Sequence, residues 1–265
     1  MTFKQTGIAL VLLVIAAAVV GLWASMARSP AADMQSQHVL QGVRQDNHDF
    51  VYTESTDVYD IKATWPDKVP LPTAAASAAA GLALEQALKD RIDQFKVDGN
   101  FANLTAEDKQ IQGLDGTRKY ALSMEYKDYT APGYHSYLYT VYADTLGAHP
   151  NAYFFTKVFD LNGAEATLGQ VLSNNPNWLE ELSLVVSQDV QKQLIARLGD
   201  SLPSGAEGPD VTGVMFPEGV APKAENFQNF VINGGDLVIA IPPYQVASWA
   251  AGSFEVRVPL ADFAK

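Results

Sequence analysis

KYALSMEYKDYTAPGYHSYLYTVYADTLGAHPNAYFFTKVFD, residues 119–160, decides the fold. KYALSMEY (119–126), HSYLYTVYA (135–143) and AYFFTKVFD (152–160) are rich in the aromatic and β-branched residues that favour strands. TAPG (130–133) and LGAHPN (146–151) supply the turn chemistry between them. Three strands joined by short turns predict an antiparallel run. On the middle strand Tyr137, Tyr139 and Val141 share one face, with Leu138, Thr140 and Tyr142 on the other. Seven of the eleven tyrosines fall between 126 and 153. Tyrosine suits half-buried strands on packing grounds alone; the functional alternative is an aromatic binding face that includes Tyr134, Tyr137 and Tyr139.

Upstream, VYDIKATWP (58–66) alternates Val58, Asp60 and Lys62 against Tyr59, Ile61 and Ala63, a strand ended by Pro66. Thr73 is a plausible N-cap for a helix over 74–97, whose Leu84, Leu88, Ile92 and Phe95 recur at helical spacing. Residues 98–117 read as a polar connection. Downstream, Asn175-Pro176 opens a second helix with acids early and Lys192 and Arg197 late, as the helix dipole favours. Leu179, Leu182, Val186, Val190 and Leu194 form its inner stripe, and Gly199 closes it. NFVI (229–232) and DLVIAI (236–241) flank a Gly-Gly turn as a hairpin, PPYQVASWAAG (242–252) is a bend, and FEVRVPL (254–260) a last strand. Strands and helices do not alternate regularly, so the expected class is α+β, helices packed on antiparallel sheets, after one N-terminal transmembrane helix.

That helix is GIALVLLVIAAAVVGLWASM, residues 7–26, the only long stretch without a charged side chain. Twenty apolar residues match a hydrocarbon core of about 30 Å. Six residues precede it, so a cytoplasmic N-terminus of 1–6, an anchor at 7–26 and a tether at 27–50 are expected. The folded part then divides at 51–144 and 145–265. The rival reading is a cleaved signal ending at Ser25-Met26-Ala27, which would secrete the protein. Either way the body lies outside the membrane, facing a periplasm or a cell wall.

All 30 acidic residues and 17 of the 18 basic ones follow residue 27, a net charge of −13 for the exported part. Such a surface repels nucleic acid and attracts cationic partners. Without cysteine there is no disulfide, thiol catalysis or Cys-ligated zinc. No H-E-x-x-H, paired histidines, EF-hand loop, G-x-S-x-G elbow, S-x-x-K pair or glycine-rich phosphate loop occurs, so no catalytic residue, metal site or cofactor is expected. A carboxylate pair of the glycosidase type stays open, because thirty acids always permit some pair in space. The densest unusual grouping is Gly147-Ala148-His149-Pro150-Asn151, which would present His149 and Asn151 beside tyrosines. As plain structure it is only a turn. Tyr244 and Trp249 form a second grouping in the 242–252 bend, where pinning that bend to the core is the simpler role.

Several separate pieces keep a common order: T-x-G-A-H-P-N, F-D-L-N-G, W-L-E-E-L-S, N-F-x-N-F-V-I, D-L-V-I-A-I-P-P-Y-Q-V-A-S-W-A-A-G and V-P-L. Together, over Thr145 to Leu260, they resemble the extracytoplasmic domain of RsiV-type membrane proteins, a domain of unknown function. Residues 58–126 are similar, more faintly, to the accessory domain that accompanies peptidoglycan deacetylases. The resemblance implies an antiparallel α+β fold, extracytoplasmic placement and a binding role, which in the RsiV type is lysozyme binding that frees a sigma factor. Two departures limit it: six residues before the membrane are too few for a sigma-binding segment, and no deacetylase catalytic motif is present. Ser248-Trp249 also stands where proline and tyrosine are more usual.

The expected function is a membrane-anchored extracytoplasmic binding protein that recognises a cationic lysozyme-like muralytic enzyme or a cell-envelope glycan such as peptidoglycan. The alternatives are a cell-wall glycan hydrolase or transferase, and a structural envelope module.

Overall fold

The structure, a computed structural model, describes residues 39–205 and 208–264. The predicted transmembrane segment therefore lies outside the described residues, and among these no helix is long and apolar enough to cross a membrane. The first sheet has six strands in chain order: β1 (Val43–Arg44), β2 (Asp49–Ser55), β3 (Tyr59–Pro66), β4 (Tyr120–Ala131), β5 (Tyr134–Asp144) and β6 (Asn151–Asp160). The three quoted strands pair as an antiparallel meander, with Tyr134 opposite Ala131 and Ala143 opposite Asn151. One pairing departs from the expected antiparallel scheme. β3 and β4 run parallel, Tyr59 beside Tyr120, because the chain between them crosses over through helices.

The crossover helix α1 spans Ala74–Asp98, and the Thr73 side chain accepts from the Ala76 N–H at 3.1 Å. Its apolar stripe, Leu84, Leu88, Ile92 and Phe95, is buried against the sheet face that carries Trp65, Leu122, Met124, Tyr137, Tyr139 and Phe155. The stretch expected as plain connection holds a short helix α2 (Ala106–Gln112), capped reciprocally by Thr105 and Asp108. Beyond the meander come α3 (Leu168–Val171) and α4 (Trp178–Leu198). A two-residue ladder, β7 (Ser204–Gly205) with β8 (Gly208–Pro209), precedes a second sheet of β9 (Phe230–Asn233), β10 (Asp236–Ile241) and β11 (Phe254–Pro259), ordered β9-β10-β11 and wholly antiparallel.

The period-2 alternation of the small sheet assigns its two faces. Ile232, Leu237, Ile239, Val256 and Val258 pack on α4 through Leu182, Val186, Val190 and Leu194. Val231, Val238 and Ala240 turn the other way and meet Leu138 on the large sheet. Polar links tie the sheets: Ile232 N–H donates to Ser136 Oγ at 3.2 Å, and Phe230 N–H to Thr156 Oγ1 at 3.2 Å. The layers thus run α1, large sheet, small sheet, α4. The mixed α+β class with mainly antiparallel sheets is what the strand and helix order predicts.

Two expected boundaries sit differently. The stretch read as tether to residue 50 is part of the body from Val39: its N–H donates to buried Glu85 at 2.8 Å, Leu40 is buried, and β1 and the start of β2 pair. Gly42 permits this close approach, since a Cβ there would lie 2.3 Å from the Trp65 ring. The division at 144/145 falls in the turn between β5 and β6, which are neighbours in one sheet. A meander shares its hydrogen bonds across such a turn and cannot be parted there.

Candidate functional site

Where α1 ends at Asp98, it stops covering the large sheet, and a cavity of about 870 Å³ opens. Its sheet-side wall is the covered face continued: Tyr120 of β4, Ala143 of β5, and Asn151 and Tyr153 of β6. On the helix side stand Arg91, Gln94 and Asp98, which occupy the polar flank beside the apolar stripe, with Asn100 and Phe101 just beyond. Pro242, Pro243 and Tyr244 from the bend after β10 complete the rim.

Phe101 is the hub of the aromatic wall. Its ring lies 4.8 Å from Tyr59, 4.9 Å from Tyr120 and 5.2 Å from Phe95 between centroids. This packing needs Gly99, because a Cβ there would fall 2.2 Å from the Phe101 ring. Tyr120 donates its hydroxyl to Gln112 Oε1 at 2.8 Å. A neighbouring cavity of about 490 Å³, reaching Lys96 and Lys109, shares Asn100 and Phe101 as a common wall. Its lysines are engaged, Lys96 by Glu54 at 2.5 Å and Lys109 by Asp57 at 2.7 Å. Burial alone would raise the Glu54 pKa, but hydrogen bonds from Lys96, Tyr52 and Tyr59 hold it below the usual value. Burial, reinforced by Glu54, pushes the Tyr59 hydroxyl up to about 12.

The bend is rigidly held. Gln245 Nε2 donates to Gly219 O and Asn226 O, both at 2.9 Å, and Phe216 N–H donates to Val246 O at 2.7 Å. Arg197, in the last turn of α4, donates to Ala251 O at 2.6 Å and Ser253 O at 2.8 Å. Tyr244 itself takes a left-handed backbone, φ +71°, a conformation uncommon outside glycine and asparagine. Despite that anchoring its side chain is 54 % exposed.

The sequence-derived residues divide into two sets. His149, Asn151, Tyr244 and Trp249, 93 to 100 residues apart in two groups, converge. His149 Nδ1 lies 3.1 Å from Pro150 O, which only accepts, and Nε2 lies 2.9 Å from the Tyr244 hydroxyl, which in the neutral ring would donate to it. The imidazole stacks on Trp249 at 4.4 Å between centroids. Asn151 and Tyr244 line the cavity; His149 bonds and stacks on Tyr244 and stacks in turn on Trp249. Tyr137 and Tyr139 are no part of a binding face: at 1 % and 0 % exposure they are core beneath α1. The parity of β5 was readable, but which face a helix covers depends on tertiary packing. Tyr134 stands at the opposite end of β5, packed on the second core.

Sequence reasoning missed Arg91, Phe101, Tyr120 and Tyr153. The Arg91, Gln94 and Asp98 spacing beside the Leu84–Phe95 stripe was the available signal for the helix wall. Among the described residues no group of three or more His, Asp or Glu side chains is placed to hold a metal ion.

Fold and site together define an α+β protein, helix-covered on both sides, with an open aromatic and amide-lined cavity. Residues 171–261 match the family described as "Protein of unknown function (DUF3298)". Among solved structures the chain is similar to a member of that family from Bacteroides fragilis, with 15 % identity and a TM-score of 0.50 over 81 % of this chain and 90 % of that one. It is also similar to a DUF3298 family protein from Pseudomonas aeruginosa, with 12 % identity and a TM-score of 0.47 over 80 % and 90 %. No curated protein matches the chain. At such identity the first likeness speaks to the fold alone. The matched stretch contributes Pro242, Pro243 and Tyr244 to the cavity; its other lining residues precede residue 171.

Proposed function

We propose that the protein is a membrane-anchored extracytoplasmic binding protein of RsiV-like kinship, and that its cavity takes a segment of cell-envelope glycan without turning it over. The observation that carries this reading is the cavity wall. Flat aromatic faces from Phe101, Tyr120, Tyr153 and Tyr244 stand beside amide and carboxylate groups from Gln94, Asp98 and Asn151. A sugar ring offers the complement: an apolar C–H face for stacking and a rim of hydroxyls for hydrogen bonds. A second cavity adjoins across the shared Asn100–Phe101 wall, which would give a chain of sugars two neighbouring places to bind.

Co-sedimentation of the full chain with purified peptidoglycan tests this. Retention that Tyr244→Ala reduces supports it; retention equal in wild type and variant, or none, contradicts it.

The acidic surface favours a second reading, capture of a cationic lysozyme-like protein, because net charge of −13 after residue 27 would steer such a partner at low salt. Passage over immobilised lysozyme at low and high salt separates the two. No retention at either removes the lysozyme version and leaves the glycan version standing.

A further inference from the structure

Arg91 is the unexplained group in the cavity. It is half-buried on α1, its Cζ lies 3.5 Å from the Phe155 ring centroid, and Nη1 donates to Ala87 O at 2.8 Å. Guanidinium carries five N–H donors, and among the described residues no carboxylate pairs with it. The acids around it are committed elsewhere. Asp90 accepts from Gln86 at 2.6 Å, Asp98 from Gln94 at 2.6 Å, Asp93 is bound by Lys89, and Glu165 pairs with Lys157 at 2.6 Å. Burial lowers the Arg91 pKa, partly opposed by Tyr153, Asp90 and Glu165, as befits a cation short of solvation.

Two further donors face the same space from one side of β6. Among the described residues the Tyr153 hydroxyl and the Asn151 side chain make no hydrogen bond, yet both line the cavity with Arg91. Asp98 sits seven residues along α1, about 10.5 Å away at 1.5 Å per residue. The cavity is therefore polarised along α1, with donors at the Arg91 end and a carboxylate at the Asp98 end.

We propose that the Arg91 end receives a carboxylate, so that the ligand is an acidic, carboxylate-bearing sugar whose hydroxyl or amide N–H groups face Asp98. This rests on the glycan reading of the cavity and adds the ligand's charge and direction to it. The planar guanidinium fork matches a carboxylate with two parallel hydrogen bonds, which lysine does not reproduce.

Isothermal titration of the full chain in detergent micelles, against the disaccharide N-acetylglucosaminyl-N-acetylmuramic acid and against chitobiose, tests the assignment. The two sugars differ by a lactyl carboxylate. The expected result is at least tenfold tighter binding of the acidic disaccharide, a preference lost in Arg91→Met and only partly kept in Arg91→Lys. If Arg91→Met does not fold, Tyr153→Phe is expected to weaken the acidic disaccharide several-fold while sparing chitobiose. Equal binding of both sugars, unaffected by these variants, overturns the carboxylate assignment and keeps the glycan cavity. Binding of D-alanyl-D-alanine but of neither sugar moves the carboxylate to a peptide and overturns it. Binding of none of the three removes the glycan reading itself.

Discussion

The core under α1 and the core under α4 are built from different side chains. The first gathers Trp65, Phe95, Tyr137, Tyr139, Phe155 and Phe159; the second is mostly Leu, Ile and Val from α4 and the small sheet. Aliphatic residues interdigitate and close every gap at native density. Large flat rings pack at fixed angles, and their polar tips need partners. The aromatic core meets that need at its border, where Tyr52 and Tyr59 donate to Glu54 and Tyr126 donates to Asp49. The Glu54–Tyr59 end of that border, beside Phe101, is where α1 runs out and the cavity opens. The aliphatic half matches the family; the aromatic half supplies most of the cavity wall.

The comparison breaks most visibly in the aliphatic core. Leu194, with no exposure, lies in its centre, so Leu194→Ala is expected to cost about 2–5 kcal/mol by denaturant unfolding. Glycan binding by the molecules that stay folded should be unchanged; a large loss of affinity would mean the cavity depends on that core directly.

The aromatic core predicts an effect of opposite sign. Tyr139 stacks on Phe155 at 4.5 Å between centroids, but its hydroxyl is buried without a hydrogen-bond partner among the described residues. Tyr139→Phe keeps the ring and removes the unpaired group, so stability should rise by about 1 kcal/mol. Tyr126→Phe, which loses the Asp49 bond, should instead destabilise. Melting of the pair side by side decides it, and a loss in both would show that the Tyr139 hydroxyl is paired.

His135 adds a pH signature to the same half. Its ring is buried beside Tyr137, and burial lowers its pKa below the ordinary 6.5 despite Asp128 at 3.5 Å. Above pH 6.5 both the folded and the unfolded chain hold a neutral imidazole. Below it the unfolded chain takes up a proton that the folded chain binds only at lower pH. Stability contributed by the neutral ring is therefore present above 6.5 and declines as pH falls through that value. His135→Gln should flatten this decline in unfolding measured at pH 7.5 and 5.5, and an unchanged slope would assign it to other groups.

The smallest effect concerns the rim. Tyr244→Phe removes the His149 bond from an exposed side chain and should shift stability by no more than about 0.5 kcal/mol. Its glycan affinity should nonetheless fall several-fold. A stability loss as large as that of Leu194→Ala would make Tyr244 a structural pin.

Both long helices, the 229–241 hairpin and the three aromatic strands were legible because each carries its own period and its own stop signals. β1 and β2 were not, since VRQDN has no alternation and the order of this stretch comes from Trp65 and Glu85, far along the chain. The parallel β3–β4 pairing escaped for a related reason: a strand's partner across a helical crossover leaves no local mark. Of the cavity's lining, the candidates read from the sequence include Asn151 and Tyr244. The G-A-H-P-N turn and the Tyr244–Trp249 bend stand out as unusual clusters, whereas Arg91 and Phe101 become site residues only where α1 ends against β6.

Backbone amide NMR of the labelled chain, titrated with soluble peptidoglycan fragments, tests the central claim most directly. The account predicts shifts centred on Arg91, Phe101, Asn151, Tyr153 and Tyr244, with the α4 core silent. Shifts centred on α4 or the outer strand β11, with those five residues unmoved, would contradict it.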